Sequence, residues 1–264
     1  MTPTPRPAIF ITGAAAGIGL AVAERFARAG WFVGLYDLDA ASVASLQRRV
    51  AADHGIAARL DVAQAADWSA ALQSFAQASG GRLDVLFNNA GVSATGPFEQ
   101  AALARQQLIV DVNLKGVING CHSAHGLLKA TPGSRVINMC SASALHGQPD
   151  LAVYSATKAA VRGLTEALDI EWRHQGIRVV DVLPLFVNTA MVRDDVSRMK
   201  TVGILGVRLS AEDVADAVWR LAQRRAGSLP VHTTVGLQTK FFGLLSKLSP
   251  NWVNHWVTAK LAGY

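Results

Sequence analysis

A doubly wound α/β fold, a parallel sheet of about seven strands with helices on both faces, is the class this sequence predicts. Two observations carry it. Short apolar runs of strand length alternate with longer stretches whose apolar residues recur at helical spacing. The first run, Ala8 to Thr12, passes at once into a glycine-rich turn and then into a helical pattern with Ile18, Val22 and Phe26 one turn apart. In such a fold ligands bind beyond the carboxyl ends of the strands, so polar residues there are the candidates for function.

Half of the 264 residues are apolar and 17% are charged, which excludes a disordered chain and suits a large buried sheet or an oligomer interface. The alternation continues without a linker, so residues 1–264 read as one domain with a flexible N-terminus over 1–7. The formal charge of +6 comes from 25 basic and 19 acidic residues scattered along the chain, and no nucleic-acid partner is indicated. Cys121 and Cys140 form no C-x-x-C, so a reducing, cytoplasmic setting is expected. The apolar run after the proline-rich start is too short for a signal core or a membrane span. No metal is expected: the seven histidines lack H-E-x-x-H spacing, and His122 with His125 reads as a packed or solvated pair.

The turn after the first run reads T-G-A-A-A-G-I-G. Gly13, Gly17 and Gly19 let the backbone take positive φ and come close to a ligand, while the following helix offers free N–H groups to a pyrophosphate. The second run, Trp31 to Tyr36, ends at Asp37. An acidic side chain there suits a ribose 2′-hydroxyl and repels a 2′-phosphate, and neither Ala16 nor Leu38 supplies a cation for one, which favours NAD over NADP. Further strands are expected at Ala57 to Val62, Val85 to Asn88, Val136 to Met139, Val179 to Leu183 and Pro230 to His232. Asp61, Asn88 to Gly91, Ser141 and Pro184 fall at their ends.

Within V-Y-S-A-T-K-A-A, Tyr154 and Lys158 stand four residues apart, on one helix face. A fixed cation favours the phenolate, so this spacing predicts a tyrosine able to exchange a proton near neutral pH.

Several motifs, in order between Ala8 and His232, resemble the classical short-chain dehydrogenase/reductase family with its Rossmann-type fold. They are the glycine turn, the acidic pair Asp61-Val62, N-N-A-G at Asn88 to Gly91, and Asn113, Ser141, Tyr154 and Lys158, which match a catalytic tetrad. The resemblance implies an oxidoreductase that moves hydride between NAD and a secondary alcohol or ketone. Tyr154 would be the acid/base, Ser141 a donor to the reacting oxygen, Lys158 the group that lowers the phenol pKa and holds the nicotinamide ribose, and Asn113 the anchor of a relay water. Cofactor contacts are implied at Gly13, Gly17, Ile18, Gly19, Asp37, Asp61, Val62, Asn89, Ala90, Gly91, Tyr154, Lys158, Pro184, Val187 and Thr189. Thr189 matches the residue that binds the carboxamide. Two rival readings are a dinucleotide-binding redox sensor without catalysis, and an epimerase or dehydratase, whose branch of the family prefers a T-G-x-x-G-x-x-G turn.

The chain departs from the pattern at Leu185, where the family carries glycine, so the backbone differs there or the substrate pocket is narrowed. Residues 190–209, with Met191, Val192, Met199 and Ile204, read as a substrate lid suited to a hydrophobic substrate, or as a surface helical hairpin. Family members usually pair through the region of Ala156 to Leu168, which implies a homodimer or homotetramer. The stretch 235–264 adds two helices separated by Pro250. Their apolar faces would cover the substrate cleft, pack on a second subunit, or lie peripherally on a membrane surface.

Overall fold

The computed structural model describes residues 6–195 and 199–264, so most of the expected flexible N-terminus and residues 196–198 of the expected lid lie outside the described residues. Among the described residues, seven strands form one parallel sheet: β1 (Ala8–Thr12), β2 (Phe32–Asp37), β3 (Gly55–Arg59), β4 (Val85–Asn88), β5 (Arg135–Met139), β6 (Arg178–Pro184) and β7 (His232–Val235). Their order is β3-β2-β1-β4-β5-β6-β7, which reverses between β1 and β4 and opens a crevice at the carboxyl ends there.

The helices are α1 (Gly17–Arg28), α2 (Ala40–Val50), α3 (Ala65–Ser79), α4 (Leu103–Val110), α5 (Gly116–Ala130), α6 (Ala152–Trp172), α7 (Ala190–Asp195), α8 (Lys200–Leu205), α9 (Ala211–Gln223), α10 (Leu237–Leu248) and α11 (Asn251–Ala262). Strand side chains alternate between two cores. Ile9, Ile11, Val33, Leu35, Ile137 and Val180 pack against α1 and α9, while Phe10, Leu86, Val136 and Val179 pack against Trp68, Phe75, Val117 and Val161 on the other face. Within the second core Phe10 stacks on Tyr36 with ring centroids 4.0 Å apart. Both faces are buried, which is why the strands read as continuous apolar runs rather than alternating ones.

Two strands differ from the expected ranges. β3 begins at Gly55 and stops at Arg59; Leu60 still donates its N–H to Asp37 O at 2.8 Å, but Asp61 turns the chain by accepting the N–H of Ala63. β7 starts two residues after Pro230, which has no N–H to give the ladder, and runs on to Val235. Helix α9 is capped at Ser210, with Ser210 and Asp213 in a reciprocal capping box. Both cysteines are free and buried, and His125 bonds Gln175 beside the Trp172 ring. At the far end of the sheet Asp169, 1% exposed, holds Arg173 and Arg178 together with the N–H of Val179. Burial alone would raise its carboxyl; the two arginines more than offset that and hold it below the usual range.

Candidate active site

The glycine turn is shaped by contacts with β4. Gly13 and Gly17 take φ of 66° and 54°. Gly19 does not; its requirement is space, since a Cβ there would stand 2.0 Å from the Gly13 carbonyl oxygen. Asn89 donates its side-chain amide to the carbonyls of Thr12 and Gly13 at 2.9 and 3.0 Å, and the Thr12 hydroxyl accepts the N–H groups of Asn89 and Ala90 at 3.0 Å. The Asn89 amide is therefore a strut for the turn. At the entry to α1, Ala16 is extended and supplies no side-chain cap, so the first N–H groups of the helix face outward.

Those N–H groups open on a cavity of about 390 Å³ at the switch point. Gly13, Gly17, Ile18, Asp37, Asp61, Val62, Asn89, Ala90, Gly91, Tyr154, Lys158, Pro184, Val187 and Thr189 line it. Gly19 lies beneath the turn, and Asn113 is wholly buried behind the wall; neither lines the cavity. Asp37 already receives the N–H groups of Ala15 and Asp39, at 3.0 and 3.2 Å, which fixes its carboxylate at the cavity edge. A close-approach glycine, free helix N–H groups and an acidic residue on the next strand fit a dinucleotide.

Tyr154 and Lys158 share the first turns of α6, and Ser141 follows β5. The Tyr154 phenol and the Ser141 hydroxyl line the same cavity wall, close enough for Ser141 to act on the phenol. Burial pushes Tyr154 up to about 12, and Ser141 draws it part of the way back. Lys158 is not among the groups that set this balance. Its Nζ stands 5.5 Å from the Tyr154 ring centroid and donates to Met139 O at 2.8 Å, while burial depresses the ammonium itself. Asn113 sits in a wide helical turn, 111–115, between α4 and α5. Its amide donates to Val92 O at 2.9 Å and its oxygen accepts the Val92 N–H at 2.8 Å, so the side chain clamps the segment after β4.

A second cavity, of about 440 Å³, adjoins the first. Its lining is dominated by apolar side chains: Leu145 and Leu151 from the loop before α6, Leu185 and Phe186 after β6, Met191, Val192, Met199 and Val202 around α7 and α8, and Phe242, Leu245, Val253, Val257 and Leu261 from α10 and α11. Ser141 and Tyr154 line both cavities, so the groups able to exchange a proton stand where the two meet. Leu185 settles as bulk in the wall of the second; its backbone does not take positive φ, so no strain replaces the family's glycine. Ile204, grouped with the lid methionines by sequence, is instead exposed. Sequence reasoning missed the loop residues Leu145, His146, Gln148 and Leu151, whose only local signal is the Q-P-D turn at 148–150.

Residues 7–200 match the family model described as short chain dehydrogenase. A 3-alpha-(or 20-beta)-hydroxysteroid dehydrogenase of Mycobacterium tuberculosis is 36% identical over 220 residues, 78% of this chain and 83% of that one. A short-chain type dehydrogenase/reductase of Sinorhizobium fredii, y4vI, is 32% identical over 239 residues; the match takes in 88% of this chain but 43% of that longer relative. Among solved structures, a 3-ketoacyl-(acyl-carrier-protein) reductase from Brucella melitensis complexed with NADH superposes with a TM-score of 0.79 at 28% identity, covering 87% of this chain and 96% of that one. The chain belongs to the short-chain dehydrogenase/reductase family. It is an NAD(P)-dependent oxidoreductase acting on the alcohol or ketone carbon, and the sensor and epimerase or dehydratase readings are not favoured.

Proposed function

We propose that this protein interconverts a bulky, apolar secondary alcohol and its ketone, with NAD as the cofactor. The observation that carries the reading is the position of Tyr154 and Ser141 on the shared wall of the glycine-turn cavity and the apolar cavity. NAD, when bound, supplies the hydride acceptor or donor. Tyr154 takes the hydroxyl proton in oxidation and returns it in reduction, Ser141 donates to the substrate oxygen as charge develops there, and Lys158 sits behind both. Asn113 keeps the Val92 segment, and with it the wall beside Lys158, in place. Asp37 selects NAD by repelling a 2′-phosphate, and Thr189 contacts the carboxamide. The steroid-acting relative agrees with an apolar cavity of this size.

The same reading takes residues 1–264 as one domain with 190–209 as a substrate lid. It places the protein in the cytoplasm as a homodimer or homotetramer paired through α6, and it includes contact of α10 and α11 with a membrane surface. The test is Tyr154→Phe: turnover falls by at least about 100-fold while NAD affinity is kept. A variant that retains most of its turnover removes the assignment.

A further inference from the structure

Helices α10 and α11 are apolar on two sides. Phe242, Leu245, Val253 and Val257 face inward onto the substrate cavity. Leu237, Phe241, Leu244 and Leu248 form a second stripe along α10, and Trp252 and Trp256 stand one turn apart on α11; all six are exposed, Leu248 by 75% and Trp252 by 73%. The two helices are held as one hairpin, because the Asn254 amide donates to Ser246 O at 3.0 Å and to Ser249 O at 3.4 Å. A helix apolar on both faces belongs in an apolar environment on both. The core side is accounted for by the cavity.

Charge decides what lies against the outer side. Lys240, Lys247 and Lys260 are exposed on these helices, and residues 235–264 contain no Asp or Glu. A two-fold contact of this face with a second copy would set lysine against lysine with no carboxylate from the same helices to offset them. An anionic lipid surface answers both features: headgroup charge for the lysines, and an interface in which indole rings and leucines are stable. No described helix is long and apolar enough to cross a membrane, which leaves lying on the surface.

We propose that the outer face of the α10–α11 hairpin docks on an anionic bilayer. The inference deepens the membrane contact and the apolar substrate of the reading above, because it names the lipid charge, the docking residues and the source of the substrate. The cavity lies on the inner side of the same two helices, about one helix diameter of 10 Å from the lipid, so an apolar alcohol dissolved in the bilayer has a short path to Tyr154.

Co-sedimentation of the full chain with phosphatidylcholine vesicles, with and without phosphatidylserine, tests this. The wild type should pellet with the anionic vesicles and far less with the neutral ones. Trp252→Ser with Trp256→Ser should abolish binding, and each of Lys240→Gln, Lys247→Gln and Lys260→Gln should weaken it roughly five-fold at low salt. None of these side chains lines the substrate cavity, so an unchanged thermal midpoint confirms that each variant is folded. Wild-type protein that ignores anionic vesicles overturns the proposal, as do variants that bind like wild type. A tryptophan variant that shrinks the oligomer on gel filtration, from a wild type without lipid affinity, assigns the face to a second copy instead. Vesicle binding is read without turnover, so a failure to oxidise apolar alcohols would count against the substrate reading and leave the docking result standing.

Discussion

The Tyr264 phenol donates to the Asp150 carboxylate at 3.1 Å, tying the end of α11 to the loop that leads into the catalytic helix. Asp150 has φ of 63°, the one described residue other than glycine at positive φ, and its carbonyl accepts the N–H of Gly96. Asp is among the few residues that tolerate this conformation. The tie lies at the rim of the roof formed by α10 and α11, so it fixes the roof against the loop bearing Leu145 and Leu151.

Tyr264→Phe and Asp150→Gly should therefore act alike, raising KM for bulky apolar alcohols while leaving kcat for a small alcohol unchanged. Asp150→Ala should do the same and also lower the thermal midpoint, because alanine at positive φ costs about 1 kcal/mol. Steady-state kinetics with one large and one small substrate, beside thermal melts, check both parts. Equal KM shifts for both substrates would place the effect in the catalytic loop rather than the roof.

The difference between what was legible in the sequence and what was not follows from the range of the forces involved. The glycine turn, Asp37, Tyr154 and Lys158 are marked by local chemistry at fixed spacing and the sheet by continuous apolar runs, so the fold was readable, while Asn113 and Ser141 were singled out only by resemblance to a family pattern. The end of β3 was not, because Asp61 stops the strand through a side-chain bond to Ala63 that periodicity does not reveal. Nor was the balance on Tyr154: four-residue spacing brings a lysine near, but burial, set by tertiary packing, is the largest influence on each group. The tail was legible as two helices and not as a roof, since the same apolar stripe suits a cleft, a subunit or a lipid surface.

The protonation balance at Tyr154 has a direct consequence for pH dependence. Its pKa is raised, so the phenolate that oxidation requires is scarce at neutral pH, and the oxidation rate should climb with pH. Reduction uses the protonated phenol and should stay flatter. Ser141 pulls the pKa down. Ser141→Ala should accordingly move the rising limb upward by roughly one pH unit, the equivalent of a hydrogen bond to a charged group. Profiles of kcat/KM in both directions decide it, and a limb that stays in place would mean that Ser141 does not tune the phenol.

Asp37 is fixed by two backbone N–H groups at the mouth of the glycine-turn cavity. Asp37→Ala with Leu38→Arg should shift preference toward NADP by removing a repulsive charge and adding an attractive one. Titration of both cofactors into wild type and variant gives the ratio. Wild type that holds NADP more tightly would refute the role given to Asp37.

In the proposed reaction Tyr154 serves an apolar cavity with NAD on its other side. Formation of reduced nicotinamide should be followed for secondary alcohols of increasing apolar size, each with NAD and with NADP. kcat/KM should rise with apolar size until the substrate fills the cavity of about 440 Å³, with NAD preferred throughout. Highest kcat/KM on small polyhydroxylated alcohols, or with NADP, would contradict it.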